Sequence, residues 1–355
     1  AAGVLQPIPA IIVMRAFAPH EQGRAMGLFG AAVVLAPALG PSIGGVLVEW
    51  WGWRSIFFVA TPFCLAALPL GWKLLPHSAP GGKDVNAESE LDLAGLMLAA
   101  VVILLLLNGL AQLHGATALA GVALLAAAGA ALVVFVKHQR RQARPLMRLD
   151  LLGHRNFAAG AVVSFIYGGA LFGSTYLLPV FMQEALRLPP STAGVVLLPA
   201  GIVLAATIPL VGRWTPPEAR RAVIVAGLAL IALSFALTVG VGPGTALWVL
   251  AALAVLGRVG LGFILPSLNL AALQGVPPAL IPQGTSLINL LRQLGGAAGV
   301  SLVGVLLQAR LEALGPAGAL RAYHETLAAL AGITALAMLA AWRMRTQAAA
   351  PHELR

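Results

Sequence analysis

The chain has 355 residues, of which 59% are hydrophobic and 10% charged, and it carries a formal net charge of +10. An ordinary soluble domain has about 25% charged and about 45–50% apolar residues, so soluble, disordered and nucleic-acid-binding classes are excluded. Instead, apolar runs of about twenty residues follow one another, each long enough to cross a hydrocarbon core of roughly 30 Å, without the alternation of a transmembrane barrel. These features specify an all-α polytopic membrane protein.

In chain order the hydropathy gives a partial helix over 1–14, containing Gln6, and then ten full spans: 26–48, 54–75, 91–111, 116–137, 157–183, 190–212, 221–241, 245–270, 283–308 and 322–342. The chain opens at Ala1 inside an apolar run rather than with a signal peptide, and the expectation is a chain truncated at its N-terminus. Connections alternate between basic and neutral loops. Of the 22 Lys and Arg residues, sixteen fall in one set of loops and four in the other (Arg54, Arg187, Arg310 and Arg321), with Arg258 and Arg292 left inside spans. That asymmetry assigns the first set, and the C-terminus, to the cytoplasm, so the positive charge needs no nucleic acid. All seven tryptophans, among them Trp50, Trp214 and Trp342, lie at or just beyond span ends, where an indole ring is buried while its N–H stays wet. Cys64, the only cysteine, sits in an apolar run, which leaves no disulfide or thiolate metal site within one chain.

Inside a bilayer the informative residues are the polar, Gly and Pro positions. In the span 26–48 the run Pro37-Ala-Leu-Gly40-Pro41-Ser-Ile-Gly44-Gly45 removes helix hydrogen bonds at each proline and sets Gly40 and Gly44 on a small-residue face. Arg292 lies about ten residues into its span, roughly 15 Å of helix. It must face the bundle interior and pair with carbonyls or an acid, which marks it for coupling or gating. Arg258, flanked by Gly257 and Gly260, is a second such candidate. Of the twelve acids ten fall in loops or at span ends, which leaves Glu49 and Glu184 near the outer membrane face. Tyr167, Phe172, Tyr176, Met182 and Gln183, with Asn269, Asn289 and Gln293, offer stacking faces and a few hydrogen-bond partners for an amphipathic compound.

The Gly40-Pro41-x-x-Gly44-Gly45 run, after an Arg15 to Arg24 loop, resembles the antiporter motif of the Major Facilitator Superfamily. The stretch Gly284 to Gly299, with Asn289, Arg292 and Gln293, and the segments Leu178 to Gln183 and Ala193 to Pro199 are similar to the 14-span drug:proton antiporter branch of EmrB/QacA type. The resemblance implies two helix bundles plus two inserted helices, with a central cavity that opens alternately to each side. On it, 1–75 is the remainder of the N-terminal bundle (part of span four, spans five and six), 76–156 holds cytoplasmic loops and the inserted pair, 157–342 is the C-terminal six-helix bundle, and 343–355 is a cytoplasmic tail. The Gly212 to Arg221 loop departs from the family's gating loop, since Pro216 and Pro217 stand where an acid and a glycine are usual.

The implied activity is proton-coupled efflux of lipophilic drugs across a bacterial inner membrane, with protons, a small-molecule substrate and a periplasmic adaptor protein as partners. The coupling carboxylate is expected either in the first helices of the family's pattern or at Glu184. Gln6 would line the substrate cavity from the other bundle. Alternatives are a transporter of one defined metabolite and an inactive remnant. Seven scattered histidines argue against a membrane-embedded enzyme, and no cofactor or metal is expected. No Walker-type phosphate loop occurs in the sequence.

Overall fold

The computed structural model describes residues 40, 43–74, 92–113, 117–142, 145–277 and 280–344. The segment 1–14 with Gln6, most of the span 26–48, Pro41, and the tail from 345 lie outside the described residues. A short helix α1 covers 43–51. It is followed by α2 (Ser55–Leu74), α3 (Leu93–Ala111), α4 (Ala118–Arg141), α5 (Arg155–Val180), α6 (Pro190–Trp214), α7 (Arg220–Thr238), α8 (Leu247–Ala272), α9 (Ile281–Leu314) and α10 (Ala319–Trp342). Nine of these, α2 to α10, are long and apolar enough to cross a membrane, and they coincide with the spans read from hydropathy. Two ends run further than hydropathy suggests. The α4 helix continues through Lys137 and His138 to Arg141, where basic side chains suit the negative end of the helix dipole. The α9 helix continues through Arg310 and Glu312 to Leu314, because a charge ends an apolar run without breaking the backbone ladder.

The main packed body is α5 to α10. Helix α5 packs most closely on α9, α8 on α7 and α6, and α10 on α7. Lipid tails are as apolar as Leu, so helices associate here through close backbone approach and interhelical hydrogen bonds. The α5/α9 seam shows the first: a Cβ on Gly168 would overlap the Arg292 carbonyl, one on Gly295 the Phe165 carbonyl, and one on Gly299 the Gly169 Cα. Ser164 Oγ donates to the Ile288 carbonyl at 3.0 Å across the same seam, and Ser234 Oγ to the Leu253 carbonyl at 2.7 Å between α7 and α8.

Helices α3 and α4 pack on each other and, through α3, on α9. Asp92 ties their ends together as the N-cap of α3. Its carboxylate accepts from Gly95 N at 2.7 Å and Gln139 Nε2 at 2.8 Å, and it lies 2.8 Å from His138 Nε2. Gln139, 3% exposed, in turn accepts from Met147 N at 3.0 Å, which binds the pair to the connection into α5. The His138 ring, with the Gly95 N–H and the Gln139 amide, holds the Asp92 carboxyl well below the usual carboxylate range. A carboxyl depressed in the folded state contributes stability above its unfolded value of about 3.9 and loses it as pH falls further. Asp92→Asn is therefore expected to lower the melting temperature in detergent at pH 7, with the gap to the parent closing below about pH 4; a gap independent of pH would refute this origin.

Candidate functional site

On the Glu184 side of the membrane, α5 does not end cleanly. Pro179 interrupts its last turn, and the chain widens into a π-turn over Phe181–Ala185, closed by Leu186 N to the Phe181 carbonyl at 3.2 Å and Leu188 N to the Met182 carbonyl at 3.0 Å. The connection then passes Arg187 at φ 57. Single wide turns of this kind re-aim side chains and are frequent at functional sites. Here the turn swings the exposed Glu184 toward the face of α9.

The result is an open cavity of about 580 Å³ between α3, α5, α9 and α10, whose polar lining is Tyr176, Glu184, Ser301, Gln308 and Tyr323. Tyr176 and Glu184, singled out in the sequence on separate grounds, thus share one site. Tyr323, Ser301 and Gln308 complete it, although sequence reasoning did not choose them. The signal for two of them was present: Asn289, Gln293, Ser301 and Gln308 recur at helical spacing on α9. Asn289, Gln293 and Gln308 are exposed and Ser301 half-buried, so one polar stripe runs along α9 into the cavity. Tyr323 is fixed by packing against Phe181, with ring centroids 5.6 Å apart, while the neighbouring His324 Nε2 donates to the Val241 carbonyl at 2.7 Å. Beside the cavity, Glu325 accepts from Arg310 and, at 2.9 Å, from Arg321 Nε, locking α9 to α10.

Tyr167 does not line this cavity. It is 2% exposed and sits in the core of the bundle, which corrects its assignment as a stacking face for substrate. Gln183 and Asn269 are half-buried and outside the cavity wall; Asn269 lies at the opposite end of α8 from Leu247. The two arginines occupy a second location. Arg258 Nη2 donates to Thr175 Oγ1 at 3.1 Å, and Arg292 presents its backbone to Gly168 on the same helix.

Of the antiporter motif, Gly40 is exposed and Gly44 has open space where a Cβ would point, whereas a Cβ on Gly45 would overlap the Pro190 carbonyl at the start of α6. Four residues on, Glu49 Oε2 accepts from Ser191 N at 3.0 Å. The end of α1 therefore packs on, and caps, the first turn of α6.

A family model described as Major Facilitator Superfamily matches residues 1–300. Among curated proteins, the chain is 30% identical to a lincomycin resistance protein, LmrB, of Listeria monocytogenes over 86% of its own length and 64% of that protein's. It is 31% identical to a multidrug resistance protein B homolog of Mycobacterium tuberculosis, over 86% and 57%, and 27% identical to a riboflavin transporter, RibZ, of Clostridioides difficile, over 84% and 64%. The chain thus spans less than two thirds of the length of these relatives. Among solved structures, a bacterial homolog of the human lysosomal transporter Spinster superposes with a TM-score of 0.52 at 13% identity, covering 96% of this chain and 75% of that one, a likeness of fold. This multi-pass membrane chain belongs to the Major Facilitator Superfamily.

Proposed function

We propose that the chain is a proton-coupled exporter of lipophilic, weakly cationic compounds. It works by alternating access in a bacterial inner membrane, with its basic loops and C-terminus in the cytoplasm. The observation that carries this reading is the polar stripe of α9 leading into a cavity walled by Tyr176, Tyr323 and Glu184. Two phenol rings and one carboxylate, with Ser301 and Gln308 as the other polar groups among aliphatic side chains, suit an organic cation: the rings attract it by their faces and the carboxylate by charge, while few directional bonds permit broad selectivity. The names of the resistance proteins among its relatives support drug efflux. The helix pair α3/α4, set between the two bundles in sequence, supports the 14-span branch.

In this reading, 43–74 belongs to the N-terminal bundle, α3 and α4 are the insert, and α5 to α10 form the C-terminal bundle. The contact of Gly45 and Glu49 with Pro190 and Ser191 then joins the two bundles on the outer side. Everted membrane vesicles containing the protein should accumulate a cationic dye when acidified inside, and an uncoupler should abolish the accumulation. Dye movement indifferent to the uncoupler would refute proton coupling. A second reading, transport of one defined metabolite, is favoured by the relative named as a riboflavin transporter. Substrate range separates the two: a riboflavin-specific protein would carry labelled riboflavin and leave the cationic dye outside, whereas a multidrug exporter would take up the dye and be inhibited by many unrelated cations.

A further inference from the structure

At the end of the bundle opposite the cavity, the starts of α5 and α7 meet the end of α10. Arg155 Nε donates to the Arg343 carbonyl at 3.0 Å, which joins α5 to α10. The Arg221 guanidinium stands over the Trp342 ring, 6.0 Å from its centroid, which joins α7 to α10. Beside it, Arg220 has a buried Nε with no hydrogen-bond partner among the described residues, and a buried donor left unmet is costly. No ion pair among the described residues reaches Arg155, Arg220, Arg221 or Arg343, and Glu218, the acid in the connection before α7, pairs with none of them. Four cations thus share one rim without a counter-charge.

Trp342 is 64% exposed at the end of its span, the position of an interfacial indole, and this sets the four arginines at the level of lipid headgroups. Deeper in the membrane the same two helices expose apolar surface. Ala222, Ala226 and Ala229 follow one another along α7 at spacings of four and three, and Leu336 and Leu339 project from α10. We propose that Arg155, Arg220, Arg221 and Arg343, with Trp342, form a binding site for the phosphate of an anionic phospholipid whose acyl chains run along the exposed faces of α7 and α10. Guanidinium forks match the two free oxygens of a phosphodiester, and one of these oxygens supplies the acceptor that Arg220 Nε lacks. Charge selects the headgroup: phosphatidylcholine offers the same phosphate but brings a trimethylammonium that the arginines repel. A soluble anion would find the charge and forgo the apolar surface. The site is independent of what the protein transports and of the direction of transport.

The test is native mass spectrometry of the whole transporter in detergent, titrated with dioleoyl phosphatidylglycerol or dioleoyl phosphatidylcholine. Phosphatidylglycerol is expected to bind about tenfold more tightly than phosphatidylcholine, and R220Q/R221Q to weaken it by about tenfold or more, at roughly 1 kcal/mol for each basic residue near the headgroup. The control is R140Q/R141Q, which removes two exposed charges from the end of α4 on the same side of the membrane and should change the affinity by less than about twofold. Equal losses from the two double variants would reduce the patch to a general basic field and overturn the proposal, as would equal binding of the two lipids or displacement of phosphatidylglycerol by an equal concentration of inorganic phosphate. Should R220Q/R221Q fail to fold, R343Q alters a single exposed side chain; it is expected to weaken phosphatidylglycerol binding by about fivefold, and an unchanged affinity there would overturn the proposal equally.

Discussion

Gly295→Val is expected to destabilise the protein by about 1–3 kcal/mol, the usual cost of forcing extra carbon into a packed seam, and to abolish transport. The added Cβ meets the Phe165 carbonyl, which is backbone, so no side chain can turn aside. Relief would require α5 and α9 to part, which would also pull Gly168 from the Arg292 carbonyl and Gly299 from Gly169. The same helix supplies the control. A Cβ on Gly304 meets nothing within 4 Å, so Gly304→Ala should be neutral or stabilising by up to about 1 kcal/mol through helix propensity. Thermal unfolding in detergent reads both variants. Equal losses at the two positions would mean that backbone approach does not hold the seam.

Glu184→Gln is expected to weaken binding of a lipophilic cation by about ten- to a hundredfold, the worth of one interaction with a charged partner, while a neutral compound of the same size changes little. The π-turn over Phe181–Ala185 places this carboxylate on the cavity wall with Tyr176 and Tyr323, and the amide keeps its shape while losing its charge. A parallel loss for neutral and cationic ligands would indicate a structural role for Glu184. Tyr176→Phe, which preserves the ring face, should leave cation binding near the parent value.

The spans were legible because apolar runs of membrane length admit few other readings, and the tryptophans at their ends agree. What hydropathy could not supply was direction around each helix. Helix α5 is apolar on every side, so nothing in the sequence distinguished the inward-packed Tyr167 from Tyr176, nine residues later, which reaches the cavity. Tyr323 was overlooked because it stands at the very start of the span 322–342, where a tyrosine reads as an interfacial residue; folding pairs its charged neighbours with Arg310 and with the Val241 carbonyl and sets the ring on the cavity wall. The π-turn had no sequence signature beyond Pro179. The two intramembrane arginines were legible from cost alone, since an apolar span retains such a residue only against a free-energy penalty. Their neighbours on α5, Thr175 for the Arg258 side chain and Gly168 for the Arg292 backbone, came only from three-dimensional packing. The motif reading named Gly40, Pro41, Gly44 and Gly45 together without ranking them; of the three glycines close contact falls on Gly45, which meets α6.

The most direct test of proton-coupled export is reconstitution of the protein into liposomes with a pH-sensitive dye in the lumen and no gradient imposed. Adding a lipophilic cation outside should drive it inward through transporters of the appropriate orientation and acidify the external medium at the expense of lumenal protons, so the lumen turns alkaline; Glu184→Gln should reduce that signal for cations. Entry of the cation with lumenal pH unchanged, under conditions where charge movement is compensated by an ionophore, would contradict the account.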